Sequence, residues 1–123
     1  MELLEIYADE AGETHFRKTT VEFEMRDFAP PSQPLAVSKE SPATTSLFLI
    51  APPGWDEAYH ATPRKQLVVV LEGEVRMTCT DGESVRHRTG DVTLLNDQNS
   101  KGHQTVVQGD REGRFLLLGL AED

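Results

Sequence analysis

The chain has 123 residues, enough for one domain with a core of its own, and its 12 Lys and Arg against 21 Asp and Glu leave a formal charge of -9. That charge repels phosphate backbones and argues against a nucleic-acid partner. One cysteine, Cys79, excludes an internal disulfide; a start without a basic leader, and no apolar run near the ~20 residues of a membrane span, imply a soluble cytoplasmic protein.

Short apolar runs separated by turn residues mark an all-β chain without a convincing helix. Residues 19–24 alternate as an edge strand, with Val21 and Phe23 on one side. Residues 28–43 hold four of the seven prolines and read as an extended connection. A strand over 45–51 follows. Pro53 and Gly54 suit the centre of a type II turn, where proline presets φ and glycine accepts a positive φ. The run 66–71 reads as a buried strand closed by Gly73. Val75, Met77 and Cys79 alternate against Arg76, Thr78 and Thr80, which gives a strand with one buried face. Asp81 and Gly82 suit a type I′ hairpin back into 84–88. A turn at Thr89 and Gly90 leads to 91–95, and the last strands are expected over 103–107 and 115–120. A series of that kind closes into a jelly roll or small barrel, which limits exposed edges.

One stretch stands out. His60, Thr62, Arg64 and Gln66 recur at period 2 just before the buried run, so in a regular strand they share one side. They line a pocket or lie on a wet face. Arg64 in the pocket would grip a carboxylate or phosphate with two parallel hydrogen bonds. The other reading is that Pro63 breaks the strand and turns Arg64 outward. Tyr59 flanks the same segment, and Lys101 precedes His103 by two residues. Cys79, on the buried face, reads as core rather than nucleophile.

The spacing resembles the cupins. Their first motif, G-x5-H-x-H-x3-E-x6-G, is matched in spacing by Gly54, His60, Thr62, Gln66 and Gly73, with threonine and glutamine in place of the second histidine and the carboxylate. Their second motif begins G-x5-P-x-G. Gly82, Arg88 and Gly90 keep that spacing, and His103 is the candidate for its later histidine, after a longer loop than the family's. The resemblance implies a cupin-type double-stranded β-helix over 1–123, with an N-terminal strand and proline-rich connection over 1–44 and the barrel core over 45–120. It also implies a site at the barrel mouth, with His60, Gln66 and His103 as ligands and Arg64, Thr62, Tyr59 and Lys101 near a bound molecule. Two imidazoles and an amide carry no formal charge. Such a site holds a divalent ion (zinc, iron, manganese or nickel) weakly or not at all. Two functions follow as expectations: a module binding a small polar or anionic molecule without a catalytic metal, or a metal-dependent isomerase, lyase or dioxygenase. A homodimer is expected as well, through the N-terminal strand and the segment around Phe48, because an open barrel edge needs cover.

Overall fold

A computed structural model describes residues 1–121. Its elements are β1 (Glu2–Ala8), β2 (Thr14–Thr20), β3 (Glu24–Arg26), β4 (Leu35–Val37), β5 (Ala43–Ala51), β6 (Gln66–Glu72), β7 (Glu74–Cys79), β8 (Ser84–Arg88), β9 (Val92–Asn96), β10 (His103–Val107) and β11 (Gly113–Leu120). No helix long and apolar enough to cross a membrane is present among the described residues. Six strands form one sheet in the order β2-β1-β9-β6-β11-β5, three form a second as β10-β7-β8, and β3 and β4 make a separate hairpin.

The alternation read in the sequence sets the packing. Val68 and Val70 of β6, Leu95 of β9, Phe115 of β11 and Ile6 of β1 point inward from the large sheet. Val75, Met77 and Cys79 of β7 and Val107 of β10 meet them from the small one. Cys79 is completely buried, and burial pushes its thiol pKa up to about 12, which fits a core role and not a nucleophile.

Two readings of the sequence change here, and one strand is added to them. The expected strand over 19–24 is split: β2 ends at Thr20 and β3 begins at Glu24. The N-terminal residues form β1, which lies inside the large sheet, parallel to β9 and antiparallel to β2. Its alternation was masked by Glu5, a polar residue that is nonetheless buried because Arg17, Thr19 and Asn96 all hydrogen-bond its carboxylate. The turn between β7 and β8 is not type I′. Gly82 alone has a positive φ, the Gly82 N–H donates to Cys79 O at 3.0 Å, and the Cys79 N–H donates to Glu83 O. That is the three-residue hairpin with a glycine bulge, in which Asp81 keeps an ordinary φ. The turn before the site is as expected: Gly54 has φ 75° and the Trp55 N–H donates to Pro52 O at 3.0 Å.

Between Ala51 and Gln66 the chain does not form a regular strand. It lies antiparallel beside β10 through two isolated bridges, Asp56 with Val106 and His60 with His103. The fit is tight at Gly102. A Cβ there would come within 2.1 Å of the His60 carbonyl carbon, and Gly102 has φ +83°. Both facts exclude a side chain.

The two sheets are also clasped at their edge. Thr14 and Thr80 exchange hydrogen bonds, each backbone N–H donating to the other's Oγ1 at 2.8 and 2.9 Å. Beside them His15 Nε2 lies 2.7 Å from Asp9 Oδ2, and Nδ1 lies 2.9 Å from Asp81 Oδ2. Both ring nitrogens face carboxylates, so both must donate, and the imidazolium is the form that fits. The hydrogen bond to Asp9, followed by that to Asp81, raises the His15 pKa.

Two outcomes are expected. Gly102→Ala should destabilise the chain by at least about 2 kcal/mol in urea unfolding, because the clash is with backbone and the φ is strained. Since the folded His15 pKa lies above its ordinary 6.5, the clasp is intact below that value and weakens as pH rises through the folded pKa. The thermal midpoint should therefore fall on the alkaline side of neutrality in the parent, and this component should vanish in His15→Gln.

Candidate functional site

A cavity of about 120 Å³ opens between the sheets at the end where the 52–65 segment meets β10. Its wall is largely apolar, with Leu49, Trp55, Met77, Leu95 and Phe115 prominent. Five polar side chains interrupt it: Glu57, His60, Gln66, His103 and Thr105.

His60 and His103 face each other with ring centroids 5.3 Å apart and planes tilted by 44°. The backbone places them, because His60 and His103 exchange N–H···O bonds of 3.1 Å in both directions. His103 is buried. Its Nδ1 lies 2.7 Å from Oδ2 of the fully buried Asp97, while Asp97 Oδ1 has no partner among the described residues. A carboxylate that accepts the Nδ1 proton fixes the tautomer and leaves the Nε2 lone pair free. His60 is half-exposed, with Nδ1 3.4 Å from Glu57 Oε2.

Glu57 completes the group. One ligand atom each from Glu57, His60 and His103 lies within 4.8 Å of the other two. Burial raises the Glu57 pKa, opposed by the neighbouring His60, by a hydrogen bond to Thr105 and by His103. A desolvated carboxylate facing two imidazoles is poised to accept a cation. The donor set, two neutral imidazoles and one carboxylate, suits a divalent transition metal with open positions.

Glu57 and His60 are three residues apart, so a regular strand would put them on opposite faces. The bridges show why they converge. From Asp56 to His60 is four steps, while the partner strand from Val106 to His103 takes three. One extra residue is bulged out, and a bulge reverses the side-chain parity beyond it. No local residue pattern announces this; the only hint is that Glu57 and Asp56 are the acids next to the turn.

The shared direction expected for positions 60, 62, 64 and 66 does not hold. His60 and Gln66 reach the cavity wall. Thr62 is buried, but its hydroxyl donates to Arg64 O at 2.7 Å and accepts from Gln66 Nε2 at 3.1 Å, tying a bend instead of meeting a ligand. Arg64, on that bend after Pro63, is exposed and donates to Thr45 Oγ1 at 3.3 Å, outside the cavity. Tyr59 is exposed, and Lys101 pairs with Glu13 at the surface. No lysine or arginine lines the cavity among the described residues.

Comparisons with known proteins bear on the fold. A search among curated proteins finds no match. Among solved structures, a conserved-barrel cupin protein from Salinispora arenicola superimposes with a TM-score of 0.52 at 17% identity, covering 80% of this chain and 73% of the other. An uncharacterised double-stranded β-helix protein from Klebsiella pneumoniae gives 0.52 at 20% identity over 87% and 90%. A sugar phosphate isomerase of the cupin superfamily from Silicibacter pomeroyi gives 0.51 at 22% identity, covering 63% of this chain and only 50% of that one. At these identities the likeness is one of fold. The family model described as a cupin domain matches residues 47–119, a span that runs from within β5 into β11 and contains Glu57, both facing histidines and Asp97. The chain belongs to the cupin family.

Proposed function

We propose that this cupin holds a divalent metal ion through Glu57, His60 and His103 and takes a small polar or anionic molecule at the ion's open positions. The observation that carries the reading is the mutual approach of their three ligand atoms, within 4.8 Å, in a cavity walled by apolar side chains. The expected set with Gln66 as third ligand was electrically neutral; Glu57 in its place adds a charge and strengthens the site.

The chain's own residues divide the tasks. Asp97 orients His103, Glu57 offsets cationic charge, and Gln66 offers an amide at the wall for hydrogen bonding. The buried Met77, Leu95 and Phe115 give the inner wall a low dielectric and so strengthen the polar contacts against it. The ion would supply Lewis-acid polarisation of whatever oxygen reaches it.

The size of the cavity limits that molecule. About 120 Å³ is well below the roughly 300–1,000 Å³ of a site for a drug-sized ligand. A sugar phosphate, the class named for the isomerase neighbour, would need more room and a cation for its phosphate. With Arg64 and Lys101 outside, the preference for an anion rests on the ion itself. The metal-free module keeps one supporting observation: Glu57 and His60, 3.4 Å apart, are able to satisfy each other as an ion pair.

Metal analysis of tag-free protein that has met no chelator decides between them. The expected result is close to one transition-metal ion per chain. An empty site that also fails to bind cobalt, zinc or manganese in calorimetric titration rejects the metal. Glu57→Ala, which removes one of three ligands, should lower affinity at least tenfold, while Gln66→Ala leaves it nearly unchanged. The reverse ranking would return the third position to Gln66.

Asp97→Asn tests the orienting contact. Removal of such a partner costs about 10–100-fold in metal affinity. The same loss is expected here, with the far-UV circular dichroism of the parent retained.

A further inference from the structure

The polar side chains of the cavity have their hydrogens engaged elsewhere. Nδ1 of His103 lies 2.7 Å from Asp97 Oδ2, and Nδ1 of His60 lies 3.3 Å from Ala58 O. Both partners only accept, so both rings carry their proton on Nδ1 and keep Nε2 as an acceptor. The Thr105 hydroxyl hydrogen-bonds Glu57, whose ionised carboxylate only accepts.

Gln66 would be the exception, since an amide has a donor end and an acceptor end. Chemistry tells the two ends apart. The Thr62 hydroxyl has one hydrogen and donates it to Arg64 O at 2.7 Å. The Gln66 atom 3.1 Å from Thr62 Oγ1 must therefore be the nitrogen. Thr62 is buried and is not part of the cavity wall, whereas Gln66 is. The donor end is thus held away from the cavity. Oε1, which no donor among the described residues reaches, is the end left for a ligand.

The cavity is walled by acceptors: two imidazole lone pairs, one carboxylate and one amide oxygen. Three of the four belong to the group that would hold the ion, and its positive charge answers them. Gln66 Oε1 has no such answer. A ligand that presents it with another acceptor, or with a methyl group, strips its water and returns no hydrogen bond. An ammonium would donate, but the charge of the ion opposes it; a hydroxyl meets no such opposition. At the position where the cupin motif has a carboxylate, the neutral amide accepts a hydrogen bond and leaves the ion to Glu57. The cavity of about 120 Å³ has the room of about four liquid waters.

We propose that Gln66 selects the ligand through a hydrogen bond that it accepts: the molecule bound here is a small hydroxy-carbonyl compound, which gives a carbonyl or carboxylate oxygen to the ion and its hydroxyl hydrogen to Gln66 Oε1. This rests on the metal reading of the same site and narrows it. Thr62 is a positioning residue, because it holds the amide in the orientation that asks for a donor.

Glycolate and acetate, which differ only in the hydroxyl, test this by titration into protein carrying one cobalt ion, followed in the visible spectrum. A hydroxy acid chelates an ion better on its own account. The quantity read is therefore the acetate-to-glycolate ratio of dissociation constants, with the ratio in Gln66→Leu as reference. In the unmodified protein the ratio should exceed that reference by about 3–10-fold, the range of one hydrogen bond. Thr62→Val frees the amide to turn either end inward and should bring the ratio down towards the reference, while Thr62→Ser keeps the hydroxyl and should restore it. Should Thr62→Val not fold, the comparison with Gln66→Leu decides alone. Equal ratios in the unmodified protein and Gln66→Leu overturn the proposal, and a folded Thr62→Val that keeps the full ratio overturns the role of Thr62. A protein that takes no cobalt rejects the metal reading and this proposal together; one that takes the ion and shows no dependence on Gln66 rejects this proposal alone.

Discussion

Residues 55–60 lie beside β10, held by four backbone hydrogen bonds: Val107 to Trp55, Glu57 to Thr105, and the reciprocal pair between His60 and His103. Everything in the site depends on this contact. It closes the open end of the small sheet, brings His60 opposite His103, and through one bulged residue turns Glu57 to the same side. It is possible only because Gly102 leaves room for the His60 carbonyl, and Gly102 is itself fixed where Thr14 Oγ1 donates to its oxygen at 2.8 Å. The first strand pair and the site are therefore linked. Thr14 bonds Gly102 on one side and Thr80 on the other, so the β1–β2 hairpin, the β7–β8 turn and the cavity share one small network.

The parts of the fold that the sequence made legible are those where burial and period agree. β7, with Val75, Met77 and Cys79 facing in, was readable from alternation alone, and β10 was expected over the residues it occupies, with His103, Thr105 and Val107 forming its buried face. β1 was not, because its period is carried by a buried glutamate whose partners come from β2 and β9 and are invisible locally. Nor was the break between β2 and β3, where an alternating pattern runs through residues that no neighbouring strand pairs.

The site shows the same division more sharply. His60 and His103 were recoverable because motif spacing fixes them in the barrel, and Gln66 because it opens a regular strand. Of the two directions open to Arg64, the structure takes the outward one: period 2 does not continue across Pro63, where the chain bends and Thr62 caps the bend. Glu57 was missed for the mirror reason: parity excluded it from the side of His60, and a bulge set by pairing to a strand almost fifty residues away reversed that parity. Rules of local period fail at bulges, and bulges gather where a strand must aim a side chain at a site.

Groups are held, outside and inside, in places that the single chain leaves unsatisfied. On the outside it is apolar surface without cover, Phe48 and Ile50 of β5 among it. On the inside it is Asp97, wholly buried, with one oxygen on His103 and the other without a partner among the described residues. Taking a carboxylate out of water costs several kcal/mol, and apolar residues of equal volume commonly replace a buried polar pair without loss of stability. A barrel selected only for stability has no reason to keep Asp97 behind His103. A barrel that must present one histidine lone pair to the cavity does, because a carboxylate on Nδ1 decides which nitrogen carries the proton and stiffens the ring against rotation. The cost is local and the return is directional, which is why the acid sits behind the buried histidine while the half-exposed His60, held on its own backbone bridge, has a carboxylate beside it and not behind it.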